Sequence, residues 1–329
     1  MLLLFQVSSS LQSFLQNMTE LEIQMNSVER VRFFSEQVSQ EAPYVLDNGG
    51  PAVRGGRGAP SWPSAGVVRF RNVSARYRPE LPRVLQDLTI DVGAAQKIGV
   101  CGRTGSGKST LMLLLFRILE LDEGSIEIDG IDISTLGLAQ LRKAVAMLPQ
   151  DPILFAGTVR ENLDPFGEHN DVQLYAALEQ AQLMHTFKRQ NQDLETNVGE
   201  GGGTLSVGQR QLLCFARAVL RNSKLLVMDE CTANVDVETD ALLQSMVRQT
   251  FAHCTIFTIA HRLATVIDYD RIAVLDNGRL VEFGQPAELL SDPTGQLTAL
   301  VEQTGPTMAS HLRSAAVAAA RGASDSDRS

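Results

Sequence analysis

At 329 residues, 44% of them hydrophobic, the chain has room for one large or two modest domains and a sizeable core. Its formal net charge of −9 weighs against a nucleic-acid partner, though not against a phosphate ligand, whose site is local. No stretch approaches the ~20 apolar residues that span a bilayer, and Cys101, Cys214, Cys231 and Cys254 lack CxxC spacing, which fits a reducing compartment without structural zinc.

The chain opens on Met1-Leu2-Leu3-Leu4-Phe5, apolar but too short for a signal peptide. Residues 1–40 read as one long helix, because Leu11, Phe14, Leu15, Met18, Leu21, Met25, Val28 and Val31 recur at three- and four-residue spacing. Such a helix either packs on its own domain or continues a membrane helix from upstream; the apolar first residues favour the second. Asn17-Met18-Thr19 and Asn72-Val73-Ser74 match the glycosylation acceptor pattern and are read as chance matches. Residues 47–65 form a linker in which Gly, Pro, Ser and Arg dominate.

Val67–Val73 and Val84–Val92 alternate as strands and predict an antiparallel β layer. Tyr77 lies between them, placed either for packing or for stacking on a base. The buried-strand run Lys97–Cys101 then meets Gly102-Arg103-Thr104-Gly105-Ser106-Gly107-Lys108-Ser109-Thr110, followed by the helical run Leu111–Leu119. Strand, glycine loop and helix are the context of a phosphate-binding P-loop. Glycines let successive N–H groups turn inward around anionic oxygens, and the helix N-terminus adds positive potential. In such a loop Lys108 reaches the β- and γ-phosphates, and the Ser109 hydroxyl holds Mg²⁺.

Strand and helix alternate onward: a strand at Ser125–Asp129, a helix at Leu138–Lys143, a strand at Val145–Leu148 ending at Pro149-Gln150, and a helical pattern over 152–192. After the turn at Glu200–Gly203, Leu205-Ser206-Val207-Gly208-Gln209 opens a helix with Ser206 and Gln209 at capping-box spacing. It is either an ordinary capped helix or a second anion site. Leu225–Met228 is a fully apolar strand ending in Asp229-Glu230. Ligands gather at the carboxyl ends of parallel strands, so Asp229 is a candidate to hold Mg²⁺ through water and Glu230 to polarise an attacking water. Cys231 reads as a buried, inert thiol.

A helix at Val237–Met246 precedes another buried strand, Thr255–Ile259, which leads into Ala260-His261-Arg262. His261 is either structural or a γ-phosphate sensor. Asp276-Asn277-Gly278 joins Arg271–Leu275 to Arg279–Phe283 as a hairpin. Helices fill 286–303, and the Ala, Ser, Arg and Asp mixture of 306–329 predicts a disordered tail.

Taken in order, these motifs resemble the nucleotide-binding domain of an ATP-binding cassette (ABC) transporter over residues 66–305. Gly102–Thr110 resembles Walker A, Gln150 the Q-loop, Leu205–Gln209 the signature, Leu225–Glu230 Walker B, Ala233–Asp236 the D-loop and His261 the switch histidine. Trp62-Pro63, Tyr77-Arg78, Glu161–Pro165 and Leu205–Leu212 are similar to the second such domain of the C subfamily, the multidrug-resistance-protein group.

The resemblance implies a P-loop NTPase core with a parallel sheet, an antiparallel β subdomain and an α-helical signature subdomain, an α/β fold. It implies ATP bound by Tyr77 and Gly102–Thr110, with Mg²⁺ held by Ser109, Gln150 and, one shell out, Asp229. Glu230 is then the general base, Lys108 and His261 act on the γ-phosphate, and hydrolysis drives export. Ser206, Val207, Gly208 and Gln209 serve the ATP of a second, head-to-tail domain. On this reading residues 1–46 are the cytoplasmic end of a last transmembrane helix, and the domain works at the cytoplasmic face with transmembrane domains as partners. An ATP-gated module of a channel or channel regulator is the alternative. Val207 stands where the common signature has Gly, which the subfamily associates with a weakly hydrolysing site on the partner's Walker motifs. Gly203-Thr204 also departs from the usual residues there and has no functional account.

Overall fold

A computed structural model divides the chain into two units, Met1–Ala42 and Pro43–Ser329, each described by itself. The structure describes residues 1–38, 40–45, 62–190, 192–229, 237–260 and 262–326, without the side chains of 2, 237, 238 and 322–326.

The first unit holds α1 (Leu2–Glu36), 35 residues free of Gly and Pro, either of which would weaken a helix interior. Its last turn closes where the Gln37 N–H donates to the Phe33 carbonyl at 2.9 Å, short of the predicted end at residue 40. Among the described residues no helix is long and apolar enough to cross a membrane.

The second unit begins with β1 (Val68–Ala75) and β2 (Leu85–Val92), then β3 (Lys97–Gly102), which runs into α2 (Lys108–Leu115). Next come β4 (Glu123–Ile128), β5 (Ile131–Asp132), α3 (Leu138–Ala144) and β6 (Val145–Leu148). The helices α4 (Val159–Leu163), α5 (Asp171–Gln180), α6 (Leu183–Arg189) and α7 (Val207–Arg221) follow. Then β7 (Leu225–Asp229), α8 (Val237–Thr250), β8 (Thr255–Ile259), β9 (Arg271–Asp276) and β10 (Arg279–Gly284) lead to α9 (Pro286–Leu289), α10 (Gln296–Glu302) and α11 (Pro306–Ser326).

Among the described residues β2-β1-β4-β5 form an antiparallel layer, and β10-β9-β3-β8-β7-β6 form a second sheet. In the second, only β10 runs antiparallel to its neighbour. Its central strands are mostly apolar because both faces are covered, and the exceptions in β8, Thr255 and Thr258, are buried. In β7, Leu225 and Val227 face the core shared with the β layer and α2, while Leu226 and Met228 face the core shared with α5, α7 and α8. Phe70 of the β layer meets Phe257 of β8 edge-on, ring centres 6.1 Å apart. The arrangement is an α/β P-loop core with an antiparallel β subdomain and a helical subdomain, as predicted.

Two expectations need correction. The tail predicted to be disordered is helical to Ser326, and Ala309, Leu312 and Ala316 are buried against β9 and α10. Their i, i+3, i+7 spacing makes one apolar face out of an Ala-rich composition. Arg313 fastens the helix, donating to the Leu290 carbonyl at 3.1 Å and pairing with Glu302 at 2.7 Å.

The linker predicted over 47–65 stops being a linker at Trp62. Trp62 Nε1 donates to the Ile128 carbonyl at 3.1 Å, and the Asp129 carboxylate accepts from the N–H groups of Ser64, Ala65 and Val67 at 2.7, 2.9 and 2.7 Å. Burial alone would raise the Asp129 carboxyl; these backbone donors outweigh it and hold it below the usual value. Upstream, the first N–H groups of α3, from Leu138 and Ala139, donate to the carbonyls of Pro43 and Tyr44 at 3.2 and 3.0 Å.

Candidate nucleotide site

The parallel strands end on one edge. Val100 of β3 and Asp229 of β7 both pair with Ile259 of the intervening β8, so they stand level, two strand spacings or about 10 Å apart. Gln150 follows the end of β6 on the same edge.

At the end of β3 the chain turns through Gly102, Gly105 and Gly107, all at positive φ (147°, 81° and 101°). A Cβ on Gly102 would come within 2.1 Å of the Leu275 carbonyl oxygen, and one on Gly107 within 2.6 Å of Leu85 Cδ2. Only glycine fits both positions. Gly107 is the N-cap of α2 and supplies no side-chain hydrogen bond, so the first N–H groups of the helix have no side chain closing them.

Lys108 is buried and folded back over the loop, its ammonium donating to the carbonyls of Gly102 and Arg103 at 2.9 Å each. Burial lowers the Lys108 ammonium from its ordinary value, and the Asp229 carboxylate opposes that shift. The Ser106 hydroxyl is buried and has no hydrogen-bond partner among the described residues. A buried polar oxygen without a partner is costly unless something fills the loop. The loop therefore fits an anion, and a ligand-borne phosphate meets its donor set. Behind it, burial pushes the Cys101 thiol up to about 12, so that sulfur stays protonated.

The Tyr77 ring is half exposed, and its hydroxyl bonds to Thr110 Oγ1 at 3.0 Å, which holds the ring at the P-loop helix. Thr110 and Ser106 are buried, whereas Ser109 is exposed. The Asn277-Gly278 turn reaches the loop from β9 and β10, the Gly278 N–H donating to the Ser106 carbonyl at 3.2 Å.

The N-terminus of α7 is built differently. Ser206 Oγ accepts from the Gln209 N–H at 3.2 Å, and Gln209 Oε1 accepts from the Ser206 N–H at 2.8 Å, a closed capping box. Val207 is 36% exposed, so its side chain points at no core of its own chain. A Cβ on Gly208 would lie 3.2 Å from Thr239 Cγ2, which explains glycine where α7 approaches α8.

Three groups whose partners the sequence does not reveal, Gln211, Arg217 and Asn162, tie α7 to the segment after β6. Gln211 Nε2 donates to the Pro149 carbonyl at 3.1 Å, next to Gln150. Arg217 donates to the Ile153 carbonyl at 2.8 Å and to Asn162 Oδ1 at 2.7 Å. Buried Gln211 and Asn162 were the available signal, since polar side chains at core positions of an amphipathic pattern need partners. Glu230, Cys231, the segment 233–236 and His261 lie outside the described residues.

Residues 85–233 match the family described as ABC transporter. The chain carries an ABC transporter domain, a class of ATP-binding domain. Within the class, its similarity lies with the C subfamily. It is 48% identical over 287 residues to human ATP-binding cassette sub-family C member 2, covering 87% of this chain and 18% of the relative. It is 46% identical over 312 residues to ABC transporter C family member 12 of Dictyostelium discoideum, covering 95% of this chain and 23% of the relative. The chain thus spans about a fifth of the length of the curated relatives it matches. A solved bacterial Atm1-family ABC exporter with ATP bound superposes with a TM-score of 0.72 at 31% identity, covering 86% of this chain and 47% of that one.

Proposed function

We propose that residues 66–305 are the second nucleotide-binding domain of a C-subfamily exporter, hydrolysing ATP to drive transport. The observation that carries this is the loop at the end of β3: an uncapped helix N-terminus, a buried Lys108 ammonium and an unpartnered Ser106 hydroxyl around one concavity. Gly102–Thr110 hold the phosphates, Lys108 meets the β- and γ-oxygens, and the Tyr77 ring stacks on the base. Ser109 and Gln150 hold Mg²⁺, with Asp229 reaching it through water; the metal neutralises charge on the phosphate oxygens.

Glu230 accepts the proton of the water whose oxygen bonds to the γ-phosphorus as the bond to the β-phosphate oxygen breaks. His261 fixes the γ-phosphate. Ser206, Val207, Gly208 and Gln209 face the ATP of a second domain in a head-to-tail pair, where the Val207 side chain crowds that nucleotide and slows its hydrolysis. Residues 1–46 continue the last helix of a transmembrane domain, placing this domain at the cytoplasmic face.

Concentration dependence tests the pairing. The rate per domain of purified chain rises with protein concentration if the site is completed by a second domain. A specific activity that is high and independent of concentration overturns it.

A further inference from the structure

A half-open cavity of about 500 Å³ lies behind the nucleotide loop and shares only Gly102 with the phosphate-binding residues. Its floor is the end of β3 at Cys101 and Gly102, one wall is Ala260 with Arg262, Leu263 and Ala264, and the other is formed by Leu300 of α10 with Met308 and Leu312 of α11. The volume is that of a small-molecule site, and the lining has the usual make-up, apolar with a few polar groups. Gln303, Thr304 and Arg262 are the polar members, and the lining contains no Asp or Glu. The Thr304 hydroxyl is already committed to the Val301 carbonyl. Arg262 is exposed, and among the described residues its guanidinium makes no hydrogen bond or ion pair.

We propose that this cavity binds a small amphipathic monoanion, a single acyl-type chain ending in a carboxylate. The chain lies between Leu300, Leu312 and the end of β3, and the carboxylate pairs with Arg262 at the mouth. An uncharged amphipath fills the same space without that pair. A short acid makes the pair without filling the space, so both halves of the ligand are needed. The cavity needs α11 as its outer wall, which gives the C-terminal helix a function beyond covering β9.

Calorimetric titration of decanoate, below its micelle-forming concentration, into the whole 329-residue chain tests this. One saturable site is expected, with butyrate and decanol each binding about tenfold more weakly or worse. Arg262→Glu, a change at an exposed position, should weaken decanoate by about tenfold or more. Ala264→Trp, on the exposed part of the wall, should remove saturable binding. Unchanged melting midpoints of the two variants show that the fold is kept, and the comparison of decanoate with decanol on the unaltered chain needs no variant. No saturable binding of decanoate, equal binding of decanol, or equal binding by both variants overturns the proposal.

Discussion

The two helix N-termini that frame this domain are closed in opposite ways. At α2 the cap is Gly107, at φ 101°, with no side chain to offer, and the Lys108 ammonium folds back over the loop. At α7 the cap is Ser206, whose hydroxyl takes the Gln209 N–H while the Gln209 side chain takes the Ser206 N–H. An N-terminus without a side-chain cap leaves its donors to water or a ligand, so the start of α2 is open to an anion. One capped by side chains keeps part of its first turn within its own chain. Under the proposed function the two helix starts serve different bodies: the first this chain's own ligand, the second a neighbour's.

The hardest test of that contrast is chemical. Glu230→Gln should retain ATP binding and lower turnover by ~10²-fold or more, the scale of a positioned base, as read by phosphate release against nucleotide affinity. Near-normal hydrolysis would remove the chemistry from this chain's own corner. Next, Lys108→Ala should weaken ATP binding to the isolated domain by about tenfold or more, because it deletes charge-assisted hydrogen bonds. Ser206→Ala should leave that affinity within about twofold while lowering the turnover of paired domains; equal shifts in the two affinities would collapse the distinction.

A subtler test uses two glycines of the loop. Gly107→Ala suffers both a left-handed backbone and the 2.6 Å approach to Leu85, and should lose about 2 kcal/mol of stability or more in denaturant melts. Gly105→Ala has nothing within 4 Å of the new Cβ and should lose only the backbone part, about 1 kcal/mol. The smallest effect lies outside both corners. Asp129 has a depressed folded-state pKa, so its contribution to stability is complete above the unfolded value of about 4 and is lost as pH falls through the lower folded one. Asp129→Asn should therefore flatten the acid limb of the stability curve below pH ~4 and leave ATP affinity at neutral pH unchanged.

Much of the nucleotide corner was legible because its constraints are local. Gly102–Thr110 sit within one turn of chain, Leu225–Asp229 declare a strand covered on both faces, and Asn277-Gly278 meet the positive-φ demand of a tight hairpin. What stayed hidden depends on partners far away in sequence. Arg217 and Asn162 are 55 residues apart, and Trp62 and Ile128 are 66 apart, so neither contact leaves a periodicity to read. For 306–326 the fault was different: composition outweighed spacing, and the face of Ala309, Leu312 and Ala316 was overlooked among neighbouring Ala and Ser. The capping box at Ser206 was visible from its spacing, and the structure forms it.

The chain is fastened to its domain twice before the first strand begins: at Pro43 and Tyr44 on the start of α3, and at Trp62 to Val67 around Ile128 and Asp129. Whatever lies between is the span of a closed ring, and ring closure depends only weakly on contour. Each doubling of such a span adds about 0.6 kcal/mol. An insertion that leaves both anchorages in place therefore adds only that increment to the cost of closing the ring.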